Sequence, residues 1–166
     1  MGIKKPTTTP FNTKRSIQRL ADNRRSLQRH SLTSEGREYS WSNKMERVEV
    51  IREGIPFGTI EVISQRLSVP VNSLLSLLGI PQTLYNKKKA EQSLMDRRDS
   101  ELIVMISELI DHGLDVFNHE EAKFQRWLQK PNLSLGGSSP ASMLDTMTGI
   151  NEIKFCLNRL KSGNLA

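Results

Sequence analysis

Apolar residues recur every three or four positions from Met45 onward, and a helix-ending Gly or Pro follows each group of them. This spacing is the period of an amphipathic helix with one buried face, and Gly and Pro end helices because of their backbone geometry. The pattern therefore predicts an all-α fold. Only the segment from Val48 to Ile51 is equally compatible with a short strand.

The first 45 residues have a different composition. They contain ten Lys and Arg residues against three acidic residues, a net charge of +7, whereas residues 46–166 have a net charge of −1. Because large apolar side chains are scarce here, we predict a mobile basic arm. Within it Ile17, Leu20 and Leu27 have helical spacing, which favours either a basic amphipathic helix that forms on a polyanion or a solvated linker without a binding role.

A tight turn at Gly79 separates two short predicted helices. The first contains Leu74, Leu75, Leu77 and Leu78, and Pro81 opens the second. Gly adopts turn conformations easily, and Pro is favoured at a helix start, so the pattern is typical of a helix-turn-helix. We expect Leu77, Leu78 and Leu84 to lie in the core.

The second of these helices has the side chains that a DNA-binding helix needs. Base edges in a major groove are read by amide, hydroxyl and ammonium groups, which predicts base contacts by Gln82, Thr83, Asn86 and Lys87. Phosphate contacts are predicted for Tyr85, Lys88 and Lys89. A plain helical corner with solvated lysines explains the same residues, but the basic arm in the same chain favours binding to double-stranded DNA.

Further helices follow after residue 95. Asp96 is the predicted N-cap of a long helix, and the last helix buries Ile150, Ile153, Leu157 and Leu160. Between them, Gly136 and Gly137 lie in a predicted loop.

The sequence contains no pattern typical of an enzyme, a metal site or a membrane protein. The histidines His30, His112 and His119 have no ligand-spaced partner, and Cys156 lies in a helical pattern that predicts an inert, partly buried thiol. Nucleotide-binding and nucleophile motifs are absent. We therefore predict a non-enzyme without cofactor or metal. With one Cys and no apolar stretch of about 20 residues, it is expected in the cytoplasm.

Two ordered sets of residues resemble a known family. The C-terminal set resembles the toxin-binding domain of the Xre/MbcA/ParS antitoxins, and it comprises Trp127-Leu128, Pro131-Asn132, Leu135-Gly136-Gly137, Pro140, Leu144-Asp145-Thr146, Gly149, Leu157, Arg159-Leu160, Gly163 and Ala166. Upstream, Leu78-Gly79-Ile80-Pro81 with Thr83-Leu84 is similar to the Xre-type helix-turn-helix of the same proteins. The resemblance covers about residues 50–166.

The resemblance implies a type II antitoxin. Such a protein neutralises a cognate toxin, commonly a RES-domain enzyme that consumes NAD, and represses its own operon as a homodimer. The expected organisation is a basic arm at residues 1–45, a helix-turn-helix DNA-binding region at 46–95 and a small helical toxin-binding and dimerisation domain at 96–166. The alternative is a stand-alone DNA-binding regulator whose C-terminal domain only dimerises.

Toxin contacts are predicted where apolar groups adjoin irregular, exposable backbone. These groups are Leu133, Leu135 and the tail Asn164, Leu165 and Ala166. In one interpretation Arg159 is also a toxin contact and enters the toxin's pocket with the terminal carboxylate. In the other, it only complements the dipole of the last helix. For Trp127 and Leu144 we favour core packing.

Overall fold

Helices dominate the computed structural model, which describes residues 29–163, and the predicted helical fold is confirmed for this part of the chain. A two-stranded sheet precedes the helices. The helices are α1 (Lys44–Glu53), α2 (Thr59–Leu67), α3 (Val71–Leu78), α4 (Gln82–Ala90), α5 (Arg97–Val116), α6 (Glu121–Gln129) and α7 (Met147–Lys161). Two short 3₁₀ helices, Leu133–Leu135 and Pro140–Met143, lie between α6 and α7.

An antiparallel hairpin forms from β1 (His30–Ser34) and β2 (Arg37–Trp41), with His30 opposite Trp41. Its inward side chains, Leu32, Tyr39 and Trp41, are buried in the core. The prediction that the basic arm extends to residue 45 was therefore wrong for residues 30–45, which form this hairpin and the start of α1. Residues 1–28, with the predicted amphipathic helix, lie outside the described residues.

The first helix resolves the ambiguity around Val48, since this segment is helical. The Asn43 side chain caps α1 by accepting hydrogen bonds from the backbone N–H groups of Met45 and Glu46, at 2.9 and 3.0 Å. At the other end, the Gly54 N–H donates to the Val50 carbonyl over 3.1 Å. Local hydrogen bonds therefore fix both ends of α1.

Helix α5 is the centre of the fold. The Asp96 carboxylate caps it by accepting from the Asp99 N–H over 2.8 Å, as predicted. The helix packs against the hairpin, α1, α2, α6 and α7. Its buried residues include Leu102, Ile103, Val104, Met105, Ile106, Leu109 and Ile110. The hydrophobic core is therefore continuous across the predicted boundary between residues 95 and 96.

Candidate functional site

Helices α3 and α4 meet at a tight corner. Gly79 has φ +70°, in the left-handed region that Gly adopts at low cost, and the Ile80 N–H donates to the Leu75 carbonyl over 2.9 Å. Ile80 is buried under the turn, and Pro81 immediately precedes α4. The corner predicted from Gly79 and Pro81 is present.

One face of α4 is polar and exposed. It carries Gln82, Thr83, Asn86 and Lys87, which recur at the spacing of a single helical face. The Gln82 amide donates to Oδ1 of Asn86 over 3.0 Å, so the two amides are held side by side. The structure thus brings together the four side chains that the sequence assigns to base contacts.

The side chains assigned to phosphates are arranged differently. Tyr85 is only 3% exposed, so it does not share the exposed face of α4, and its phosphate contact stays a prediction. Burial raises the pKa of its hydroxyl, and the nearby Glu61 carboxylate raises it further. Lys88 Nζ lies 3.8 Å from Glu91 Oε2, and Lys89 forms an ion pair with Glu61 of α2.

Leu84 and Tyr85 exchange the positions that the sequence predicted for them. Leu84, expected in the core, is exposed, whereas Tyr85 is buried. Leu77 and Leu78, also expected in the core, are partly buried against it. The buried face of α4 is therefore shifted by one residue from the predicted one.

The loop after α6 presents one leucine to solvent and buries another. Asn132 stabilises the loop, since its side chain accepts from the Ser134 N–H over 2.9 Å and its backbone N–H donates to the Ser138 carbonyl over 3.0 Å. Leu133 is 95% exposed, whereas Leu135 is 8% exposed and belongs to the core. The prediction that Leu135 contacts the toxin was therefore wrong, and Leu133 remains available to a partner.

Helix α7 exposes an aromatic ring that the sequence analysis did not select. Phe155 is 63% exposed, while Ile153 and Leu157 on either side of it are buried. Arg159 is also exposed and lies one turn further along the same face. The signal was present in the sequence, because Phe155 does not fit the buried stripe of Ile150, Ile153, Leu157 and Leu160.

Two apolar side chains of the C-terminal region, Trp127 and Leu144, pack in the interior. Leu144 is buried, and Trp127 packs against Phe117 and Phe124 with ring centroids 5.9 and 6.3 Å apart. The core role that we favoured for Trp127 and Leu144 is confirmed. The predicted tail contacts Asn164, Leu165 and Ala166 lie outside the described residues.

Neither a metal-binding cluster nor an exposed thiol occurs among residues 29–163. Within residues 29–163, no cluster of three or more His, Cys, Asp or Glu side chains could hold a metal ion. Cys156 is buried, and burial raises the pKa of its thiol, which lowers its reactivity. None of the helices in this range combines the length and the apolarity needed to cross a membrane.

Known proteins are similar to this chain over about 70% of its length. An antitoxin Xre from Photorhabdus laumondii subsp. laumondii is 25% identical over 114 residues, which cover 69% of this chain and 77% of the relative. An antitoxin Xre from Yersinia enterocolitica is 28% identical over 116 residues, covering 70% and 78%. A protein named Prs ADP-ribosylating antitoxin, from Sphingobium sp., is 24% identical over 133 residues, covering 75% and 84%.

The C-terminal region also matches a family directly. Residues 112–163 match the antitoxin Xre/MbcA/ParS C-terminal toxin-binding domain. This segment runs from the last five residues of α5 to just past the end of α7 and contains Leu133, Phe155 and Arg159. Residues 112–163 are thus similar to the toxin-binding domain of the Xre/MbcA/ParS antitoxins, which confirms the resemblance that the sequence motifs indicated.

Proposed function

We propose that this chain is a type II antitoxin that neutralises a cognate toxin through its C-terminal region and represses its own operon by binding DNA. The observation that carries the toxin-binding part is the family match over residues 112–163, together with the exposed groups in that segment. Leu133 and Phe155 expose apolar surface, and Arg159 adds a cation on the same helix as Phe155. Exposed apolar and aromatic side chains beside an Arg are typical of protein-binding hot spots.

The proposed toxin is a RES-domain enzyme that consumes NAD. Support comes from the family resemblance and from the name of one relative, which is described as ADP-ribosylating antitoxin. ADP-ribosylation uses NAD, so this name is consistent with a toxin of NAD chemistry. Arg159 precedes residues 164–166 by one helical turn's length of sequence, and we propose that both enter the toxin's pocket.

The DNA-binding part rests on the corner between α3 and α4. Its exposed helix presents Gln82, Thr83, Asn86 and Lys87 on one face, which suits base contacts in a major groove. A single corner reads few base pairs, so a homodimer on two half-sites is the proposed DNA-bound form. Residues 1–28, with seven Lys and Arg against one Asp, add sequence-independent attraction to phosphates.

Affinity purification from the native host tests the toxin-binding part. The tag is placed at the N-terminus, away from residues 164–166, and a high-salt wash removes DNA before mass spectrometry. A stoichiometric partner that is toxic when expressed alone, and NAD loss in cells that express it, are the expected results. A homo-oligomer without a partner would contradict the antitoxin function and favour the stand-alone regulator.

A further inference from the structure

An open groove with several polar side chains in its lining lies beside the exposed face of α4. It has a volume of about 490 Å³ and is bounded by α2, α3 and α4. The lining residues with polar groups are Glu61, Asn72, Gln82, Tyr85, Asn86 and Lys89. Gln82 and Asn86 also belong to the exposed face, so the groove opens directly beside the proposed base-reading surface.

Lys89 is the positively charged side chain in the lining of this groove, and it forms an ion pair with Glu61. The Lys89 ammonium donates a hydrogen bond to Oε1 of Glu61, which joins α4 to α2. This hydrogen bond raises the pKa of Lys89, because it stabilises the charged amine. The two side chains are 37% and 45% exposed, and exposed ion pairs of this kind are weak, so Lys89 can exchange its partner.

The charge balance of the folded part makes this pair important. Residues 29–163 contain 17 Lys and Arg residues and 17 acidic residues, a net charge of zero. Attraction to DNA from this part of the chain must therefore come from local cations. On α4, Lys88 has Glu91 at 3.8 Å and Lys89 has Glu61, whereas Lys87 makes no salt bridge with any residue in the range 29–163.

We propose that the groove receives a backbone phosphate of double-stranded DNA, and that Glu61 limits DNA affinity by holding Lys89 in an ion pair. This inference rests on the proposed DNA binding by α4. A helix-turn-helix places its first helix across the DNA backbone, which brings the lining residue Asn72 of α3 to the phosphates. An arriving phosphate is attracted by Lys89 and repelled by Glu61, so the carboxylate opposes every phosphate contact at this position.

Substitution of Glu61 by Gln tests the proposal. The full-length wild-type chain and the Glu61→Gln variant are titrated, by fluorescence anisotropy, into a duplex from the chain's own promoter and into a scrambled duplex. We expect about fivefold tighter binding of the variant to both duplexes, because phosphate contacts are independent of sequence. The plot of log affinity against log salt concentration should steepen by about 0.9, the value for one additional neutralised phosphate.

Two controls separate the role of Lys89 from a general charge effect. Glu120→Gln removes the same charge from another exposed ion pair, in which Lys123 Nζ lies 2.6 Å from Glu120 Oε2, and should leave DNA affinity nearly unchanged. In a Lys89→Met background, Glu61→Gln should tighten binding much less, since the released cation is absent and only the repulsion between Glu61 and the phosphate is removed. Circular dichroism of each variant checks that the fold is retained.

The outcomes distinguish this inference from the proposed function. Promoter binding by the wild-type chain with equal affinity and salt slope for Glu61→Gln would overturn the inference and leave the DNA-binding function intact. A gain of the same size in the Lys89→Met background would overturn the role of Lys89. Absence of DNA binding by both the wild-type chain and Glu61→Gln would overturn the inference together with the DNA-binding function.

Discussion

The Trp41 indole N–H donates a hydrogen bond to Oε1 of Glu108 over 3.0 Å, which joins the N-terminal hairpin to the central helix. The same carboxylate also forms ion pairs with two cations from other elements. Arg47 Nε of α1 and Lys154 Nζ of α7 each lie 3.2 Å from its oxygens. Glu108 therefore links the hairpin, the first helix and the helix that carries Phe155 and Arg159.

Replacing Glu108 by Gln should destabilise the whole fold. The side chain is only 14% exposed, so its loss leaves Arg47 and Lys154 poorly solvated without their anion. We expect the free energy of unfolding to fall by about 2–3 kcal/mol, measured by urea denaturation. Glu152→Gln, which removes an exposed carboxylate from α7, is the control and should change it by less than about 0.5 kcal/mol. Equal effects of the two substitutions would contradict the linking role of Glu108.

Asp111 should make stability depend on pH. Burial alone would raise its pKa, but hydrogen bonds from His30 Nδ1 at 2.6 Å and Arg66 at 2.5 Å outweigh burial and lower the pKa. A carboxyl whose pKa is lower in the folded than in the unfolded chain contributes stability above the unfolded pKa of about 3.9, and loses it as the pH falls through the folded value.

Asp111→Asn removes this titrating group and is the test. Urea denaturation between about pH 7 and pH 3 should show a smaller loss of stability on acidification for the variant than for the wild-type chain. Near neutral pH the variant should be the less stable of the two, because it lacks the ion pair with Arg66. Parallel pH profiles would show that Asp111 does not contribute in the folded state.

The helices and their starts could be predicted because their signals are local. The spacing of Ile150, Ile153 and Leu157 and the cap at Asp96 depend on residues within one or two turns, and the structure reproduces them. The hairpin could not be predicted in this way. Its strands are five residues long and bury only a few large side chains, so their stability depends on contacts with α2 and α5 that lie far away in sequence.

The burial of side chains at the candidate sites was also mispredicted, and the cause is related. Residue type suggested that Tyr85 and Leu135 make external contacts, but burial depends on the direction in which the backbone points each side chain. At α4 the turn geometry at Gly79 and Pro81 points Tyr85 inward and Leu84 outward. In the loop, the bonds of Asn132 place Leu135 in the core. Neither orientation follows from periodicity, because both segments are too short to define a stripe.

Gly113 should tolerate no side chain, although it lies inside a helix where Ala is intrinsically favoured. A Cβ at this position would lie 2.2 Å from Cε2 of Phe124. Gly113→Ala gains about 1 kcal/mol of helix propensity, but overpacking costs typically about 1–3 kcal/mol, and for so close a contact we expect the cost to prevail. Thermal denaturation should show a lower Tm. In a Phe124→Leu background the same substitution should cost less, and an equal cost would exclude this contact as the cause.

Substitutions on α4 should separate base reading from phosphate binding. Asn86→Ala removes an amide held beside Gln82, so we expect weaker binding to the operator by about 1–3 kcal/mol and little change on a scrambled duplex. Lys87→Ala removes an exposed cation and is the contrasting variant. If Lys87 reads a base, its loss lowers operator affinity selectively; an equal loss on both duplexes would reassign it to a phosphate. Competition binding with both duplexes measures the ratio.

The exposed groups of residues 112–163 should contribute to toxin binding without contributing to folding. Leu133→Ser and Phe155→Ser change side chains that lie largely in solvent, so each should alter the free energy of unfolding by less than about 0.5 kcal/mol. Each should weaken binding of the purified toxin by about tenfold or more, because exposed apolar anchors contribute strongly once a partner buries them. Isothermal titration calorimetry measures the affinity.

Leu135→Ser is the matched contrast to Leu133→Ser, since it makes the same change two residues later at a buried position. It should destabilise the fold by about 2 kcal/mol or more, because a buried leucine is replaced by a hydroxyl group. Any loss of toxin affinity should then follow the loss of folded protein and recover at lower temperature. If Leu133→Ser and Phe155→Ser bind the toxin like the wild-type chain, the contact surface lies elsewhere in residues 112–163 or in the tail after residue 163.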